Sequence, residues 1–326
     1  MFLRSKLHGP SLCLGVSVLL CSPILFAQDV SSAQPEPGVG PRVSIVPRPH
    51  REEKSSDLRV DVNVVQIPVT VTDPSGTPVT GLSRDQFRVF EDGVEQPLAH
   101  ISSQDAPLSM GIVFDASNSM YTKLDNSREA VLQMVGTAVK GDEFFIVQFS
   151  TAPKLIQGFT NEPAQVGEAL KSIHANGWTS LFDAIRLSVH QMKKARNTRH
   201  ALIVLSDGAD NNSRYTEHEI VDLLRESDVI VYAIAINGPM VAPASFKTLK
   251  KLAESSGGRM YQVDKMEELP DVAEKISLAL RDQYTLAYYP TNTKRDGRYR
   301  RVLVKIIQPF DRPLLRASWR NGYYAP

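Results

Sequence analysis

Three oxygen-bearing side chains, Asp115, Ser117 and Ser119, stand at alternate positions directly after the apolar run Met110, Gly111, Ile112, Val113, Phe114. The run reads as a buried strand, since it is short and polar residues follow at once. If the backbone stays extended past Asp115, period-2 geometry points the three side chains to one side. One carboxylate and two hydroxyls make half a cage for a hard, oxygen-seeking cation. The other half must come from elsewhere in the chain.

The elements that would position these residues follow from the chain's texture. In a length of 326 residues there is room for two ordinary domains with a leader and a linker. Thirty-seven Lys and Arg oppose thirty-six Asp and Glu, so no basic field invites nucleic acid. Both cysteines, Cys13 and Cys21, fall in the first 21 residues, so the remainder offers no disulfide. Residues 1–27 read as an export signal, with Arg4 and Lys6 before the apolar stretch Leu12 to Leu20 and a small residue, Ala27, at the end. Leu25 departs from the small-x-small cleavage pattern, so a lipid on Cys21 or an uncleaved leader stay open as alternatives. The segment 28–56, with Pro35, Pro37, Pro41, Pro47 and Pro49, cannot bury enough apolar surface to order itself and reads as a disordered tether.

From 57 to 106 the pattern is of short strands and turns. Val60, Val62 and Val64 alternate, and Ile67, Val69 and Val71 follow in a second phase, a slip that reads as a bulge or an edge feature. Further strands are expected around Phe87 to Phe90 and as one element from Val94 to Ile101. Between 107 and 282 apolar strands alternate with helices expected near 124–139, 163–173, 180–195, 216–226, 244–256 and 266–281. The strands are the run above, Phe144 to Val147, Ala201 to Leu205 and Val229 to Ile234, with an edge strand over Lys154 to Phe159. Near-continuous apolar runs suit strands covered on both faces, so the expected fold is α/β with a doubly wound, mostly parallel sheet. Strands return in 283–326. Neither flanking β segment makes a stable unit alone, so 57–106 and 283–326 are expected to pair into one smaller all-β sandwich around the α/β insert.

Doubly wound sheets bind ligands outside the carboxyl ends of their strands, where the strand order reverses. At that edge Ser206, Asp207 and Gly208 follow the Ala201 to Leu205 strand, giving a second carboxylate, and Thr179 before the 180–195 helix offers a further hydroxyl.

The Asp-x-Ser-x-Ser at 115–119, Thr179 within Gly-Trp-Thr-Ser-Leu-Phe-Asp-Ala-Ile at 177–185, and Ser-Asp-Gly at 206–208 resemble a von Willebrand factor type A domain with its metal-ion-dependent adhesion site. The likeness covers about Pro107 to Arg281. The flanks, Phe-Glu-Asp-Gly-Val at 90–94 and Gln-Tyr-Thr-Leu-Ala-Tyr-Tyr-Pro at 283–290, resemble the VWFA-related domain proteins abundant in acidobacteria. Trp178 departs from the family, which often has a second glycine there. The resemblance implies that Ser117 and Ser119 bind a divalent cation directly and Thr179 directly or through water. It implies that Asp115 and Asp207 act largely through water. Mg²⁺ is the first expectation, with Mn²⁺ and Ca²⁺ left open. The implied partner is a protein presenting an Asp or Glu carboxylate to an exchangeable position on the cation.

Other readings were weighed. Asp210, Asn211 and Asn212 lack the spacing of a calcium loop and read as a solvated turn. Asp125 reads as a helix-start residue rather than part of a second cation site, and Asp183 as structural support near the site. His218 and Glu219 begin a zinc-protease pattern, but Asp222 stands where the second histidine belongs. No nucleophile elbow or phosphate loop occurs, so an enzyme is not expected. Tyr284, Tyr288, Tyr289 and Trp319 read as packing in the β unit. The expectation is an exported, periplasmic or secreted, metal-dependent binding protein that touches a membrane only through its leader. A structural or assembly subunit of a cell-envelope complex, with a stabilising metal, is the alternative.

Overall fold

A computed structural model describes residues 64–103, 106–207, 210–238, 243–308 and 314–326. The expected leader, the tether and the alternation of Val60 with Val62 lie outside the described residues, as does Gly208. Among the described residues no helix is long and apolar enough to cross a membrane.

The chain opens with β1 (Val65–Thr72), β2 (Phe87–Glu91), β3 (Val94–Gln96) and β4 (Leu98–Ser102). It then runs through β5 (Leu108–Asp115), α1 (Leu124–Gly136), β6 (Glu143–Phe149), β7 (Pro153–Thr160), α2 (Pro163–Lys171) and α3 (Leu181–Met192). Next come β8 (Arg199–Ser206), α4 (Glu217–Glu226), β9 (Val229–Ile236), α5 (Pro243–Ser255), β10 (Met260–Val263) and α6 (Leu269–Arg281). It closes with β11 (Tyr284–Tyr288), β12 (Tyr299–Ile306), β13 (Arg316–Trp319) and β14 (Gly322–Tyr324).

The α/β part holds a six-stranded sheet in the order β10-β9-β8-β5-β6-β7, parallel except where β7 runs against β6. All eight residues of β5 are buried because the strand is central and covered twice. Period-2 geometry sorts its side chains: Leu108, Met110, Ile112 and Phe114 join the core beneath α1, α2 and α6, while Val113 joins the core beneath α3, α4 and α5. Gly111 is needed for this packing, since a Cβ there would stand 2.3 Å from the Phe145 ring and 2.5 Å from Leu202. The sheet switches direction between β5 and β8: β6 lies to one side of β5, and the chain then crosses back to lay β8 on the other.

The flanking segments build two antiparallel sheets, β13-β1-β11-β4 and β14-β12-β2-β3, each mixing strands from before and after the insert. Val65 to Val69 pair with Tyr288 to Tyr284, and Phe87 to Glu91 with Ile306 to Val302. Ile67, Val69, Val71, Phe87, Val89, Leu98, Tyr284, Leu286, Tyr288, Val302 and Val304 share one core. Each segment alone would leave that apolar face open to water. Tyr288 and Tyr323 both donate to Glu91, whose other oxygen faces Arg300. Tyr284 and Tyr288 lie in the shared core with Trp319 packed against it, whereas Tyr289, expected to pack there, is 50% exposed. Trp319 donates its indole N–H to Val302.

Val94 to Ile101 is not one strand but two in different sheets, because Pro97, which has no N–H for a ladder, sits where the chain crosses the sandwich. The phase slip near Val65 is an edge feature: Val65 to Pro68 pair with β11 alone, β13 joins only from Val69 on, and the irregular register falls at Ala287 and Tyr288 of β11. Strands β10 and β14 were not anticipated.

The insert leaves and rejoins the sandwich at one place. Asp142, just before β6, accepts from the N–H groups of Leu108 and Val139, both at 2.9 Å. Its carboxylate also pairs with the Arg281 guanidinium at the end of α6. Arg199 at the start of β8 donates to the carbonyls of Ala106 and Leu280. The first and last residues of the insert are thereby tied together at the amino edge of the sheet.

Candidate metal centre

At the opposite, carboxyl edge the strands end in polar residues. Asp115 closes β5 and is fully buried. One of its oxygens accepts the Ser117 N–H at 2.8 Å and the other the Ser206 hydroxyl at 2.5 Å, so the last residue of β8 orients the last residue of β5. Burial in the sheet pushes the Asp115 carboxyl up to about 6, with the Asp207 charge adding to the rise and the Ser206 and Ser117 hydrogen bonds opposing it.

The backbone does not stay extended beyond Asp115 as far as Ser119. Ser117 is extended, at φ −66° and ψ 163°, and it caps a 3₁₀ turn over Asn118–Lys123. That turn, rather than strand alternation, brings the two hydroxyls together at 3.1 Å. Two neighbouring oxygens on an octahedron with bonds of about 2.0–2.1 Å stand about 3 Å apart. Ser117 is buried and Ser119 exposed, so the pair faces from protein towards solvent.

Thr179 arrives on a loop stitched to the first one. Asn176 donates to the Ala116 carbonyl at 2.8 Å, and Asn118 to the Gly177 carbonyl at 3.3 Å. Gly177 holds φ +66° and lies so close to Thr151 that a Cβ would meet its hydroxyl at 2.2 Å, a position where glycine is required. Thr179 itself is buried, its N–H donating to Asn211 Oδ1 at 2.8 Å and its carbonyl accepting from Asn211 and Asn212. Asn211 and Asn212 therefore clamp the threonine, a role the reading of a solvated turn missed. Asp210 and Ser213 meet the free N–H groups at the start of α3. Asp183 accepts from the backbone of Arg214 and Tyr215, holding the same loop. Asp125 is exposed at the start of α1 and pairs with Arg128.

Asp207 follows β8 and is buried. Its Oδ2 lies 3.3 Å from the Lys123 ammonium, while its Oδ1 is buried with no hydrogen-bond partner. Lys123 escaped the sequence reading, although a cation at the start of a helix works against the helix dipole and so signals a nearby anion.

Asp115, Ser117, Ser119, Thr179 and Asp207 thus sit on three loops that converge where the sheet order reverses. As a candidate donor set they would offer three hydroxyls and two carboxylates, and among the described residues no group of three or more His, Cys, Asp or Glu is placed to hold a metal. Neutral and anionic oxygens suit a hard cation such as Mg²⁺ better than a nitrogen- and sulfur-seeking one. The spaced hydroxyls and the orphaned Asp207 oxygen fit such an ion. Protons and cation compete for Asp115, so Mn²⁺ affinity should fall as pH drops through about 6, approaching about tenfold per pH unit below it. A calorimetric titration at pH 5, 6 and 7.5 reads this directly, and a flat profile would remove Asp115 from the site.

The comparisons agree with this architecture. A family model described as the von Willebrand factor type A domain matches residues 110–275, just over half of the chain. Among solved structures, a von Willebrand factor type A protein from Catenulispora acidiphila is similar at 16% identity and a TM-score of 0.50. The match covers 82% of this chain and 64% of that one, so this chain spans a little under two thirds of that protein. BatB from Bacteroides thetaiotaomicron matches at 16% identity and a TM-score of 0.45, over 53% of this chain and 98% of that one. Proximal thread matrix protein 1 of the mussel byssus, solved with zinc in its MIDAS motif, matches at 18% identity and a TM-score of 0.48, over 58% of this chain and 49% of its own. At 16% identity the likeness to the Catenulispora protein speaks for fold alone. No curated protein matches the sequence.

Proposed function

This chain belongs to the von Willebrand factor type A domain family, and on that premise we propose that it is an exported protein-binding module that captures an acidic side chain through a divalent cation. The observation that carries the reading is the buried Asp207 oxygen without a partner, facing the same edge as the paired hydroxyls of Ser117 and Ser119. A buried carboxylate oxygen left unmatched is unfavourable unless something positive completes it. Bound there, Mg²⁺ supplies a positive charge with an exchangeable position that a partner's Asp or Glu can take.

The chain's own residues do the rest. Ser117, Ser119 and Thr179 offer neutral oxygens, which leave the positive charge unquenched. Asp115 and Asp207 would act on such an ion largely through water. The rim is aromatic: Trp178, 62% exposed, neighbours Thr179, and Tyr121, 75% exposed, follows Ser119 by two residues. Exposed aromatics beside a polar centre are the composition of a protein-binding surface rather than of a solvated loop. The charged start of the chain and the apolar stretch after it support export. The reading assigns binding and no catalytic step.

An array of Asp- and Glu-containing peptides, with Asn and Gln counterparts, tests this in Mg²⁺ and in EDTA. Acid-dependent capture is expected in Mg²⁺ and should be lost in EDTA, and Thr179→Ala should weaken it about 10- to 100-fold. Capture indifferent to chelation would exclude metal-bridged binding. A cation that raises the melting temperature without any acid-dependent capture would favour the structural-subunit alternative. A ligand at 100 times its Kd stabilises by about 2.7 kcal/mol, enough to be read in a melting curve.

A further inference from the structure

Among the described residues at this edge, Lys123 works against a cation site. It stands at the N-cap of α1, where the helix dipole disfavours positive charge. Its side chain is only 10% exposed, and its ammonium lies 3.3 Å from Oδ2 of Asp207, itself 3% exposed. An ammonium held in so little water at a helix N-terminus needs a strong reason to stay, and Asp207 supplies it. The Asp115 oxygens accept from Ser117 and Ser206, and the Lys123 ammonium pairs with Asp207. Asp125, the acidic residue in the first turn of α1, is exposed and paired with Arg128.

From this geometry we propose that Lys123 is an internal counter-cation that tunes the metal centre, resting on the reading of that centre given above. By pairing with Oδ2, the ammonium draws off part of the Asp207 charge and leaves Oδ1 as the oxygen without a partner. Lys123 also places a fixed positive charge beside the position of a divalent one. Both effects weaken cation binding in the free protein. A partner's carboxylate brings the negative charge that Lys123 has withdrawn from the site, so cation and acidic ligand tighten each other's binding. That coupling is reciprocal by thermodynamic necessity. The neutral hydroxyls of Ser117, Ser119 and Thr179 and the lysine then act to one end: the edge holds its ion loosely until an acid arrives.

The test is Mn²⁺ binding alone, by calorimetry and by the loss of the free-ion electron paramagnetic resonance signal, at one ionic strength and pH 7.5. Lys123→Met should bind Mn²⁺ at least about tenfold tighter than the natural chain, and Lys123→Arg, which keeps the charge, should stay within about threefold of it. Lys123→Gln is a second neutral variant that can still donate to Asp207, so a folding defect in the methionine variant does not decide the result. Equal or weaker Mn²⁺ binding in the folded neutral variants, with the natural chain binding normally, would overturn the role of Lys123 and leave the metal centre standing. If neither the natural chain nor the neutral variants bind Mn²⁺, both readings fall together. Binding that emerges in the neutral variants alone would support the counter-cation role in its strongest form.

Discussion

Asp115→Asn is expected to abolish divalent-cation binding while raising the melting temperature at neutral pH. The two effects have one cause. The Asp115 carboxyl is fully buried, and burial lifts it from 3.8 to about 6. A carboxyl that titrates higher in the folded than in the unfolded chain stabilises the fold below the unfolded value and loses that contribution as pH rises through about 6. At about 1.4 kcal/mol per pH unit the loss is about 3 kcal/mol, an upper figure at this burial. Asparagine carries no charge to bury. Its oxygen can accept the Ser117 N–H, and its amide can donate to the Ser206 hydroxyl, so the two hydrogen bonds survive in reversed sense at Ser206. The variant should gain about 1–3 kcal/mol at pH 7, and the gain should vanish near pH 4. Cation affinity should fall about 100-fold or more, since the carboxylate that fixes the ion's water is gone. Melting curves at pH 4 and pH 7, with and without Mg²⁺, measure all of this. A less stable variant at pH 7, or Mg²⁺ protection equal to that of the natural chain, would contradict it.

The second large effect concerns the other edge of the sheet. Asp142→Ala should cost about 3–5 kcal/mol, because it strips the Arg281 guanidinium of a buried partner and orphans the N–H groups of Leu108 and Val139. Arg281→Met should cost less, since Asp142 would keep its two backbone donors and Arg281 retains more exposure than Asp142. Urea unfolding ranks the pair, and the expected order is natural chain, Arg281→Met, then Asp142→Ala. The reverse order would mean that Arg281 acts through contacts other than Asp142. Because Asp142 lies at the amino edge and the candidate cation residues at the carboxyl edge, Mn²⁺ affinity of the folded Asp142→Ala variant should stay close to that of the natural chain.

Much of this was legible in the residues because periodicity and burial coincide in the α/β part. Every helix expected between 124 and 281 is present, its ends shifted by a few residues where the last turns fray. The central strands were legible because Met110 to Phe114, Ala201 to Leu205 and Val229 to Ile234 are apolar on both faces. What escaped was short or one-sided. In β10 only Tyr261 and Val263 are buried, and four residues carry too little pattern to stand out between two helices. The strand expected from Val94 to Ile101 divides because β3 pairs with its neighbour β2 while β4 pairs with β11, more than 180 residues away, and Pro97 is the one local sign of that switch. At the candidate centre, residue types and strand ends pointed to the five oxygen-bearing side chains, since each follows or nears an apolar run. The supports did not show. Asn211 and Asn212 look like any polar turn until Thr179 is seen between their amides, and Lys123 looks like a surface lysine until Asp207 is seen beside it.

The sheet also has a mechanical direction. Strand β5 begins beside the clasp of Asp142 and ends at Asp115, with seven residues paired to β6 and seven to β8 along its length. Tension applied to a partner at the Asp115 end would run down the axis of that strand and strain the flanking hydrogen bonds in shear, all together, instead of peeling them one by one. At the far end Leu108 and Arg281 are anchored to the same carboxylate, so the pull would be divided between two neighbouring tethers, β4 and β11, that already lie side by side in one sheet of the sandwich. A chain threaded in this way resists traction at its binding edge without depending on any single covalent junction between its two parts.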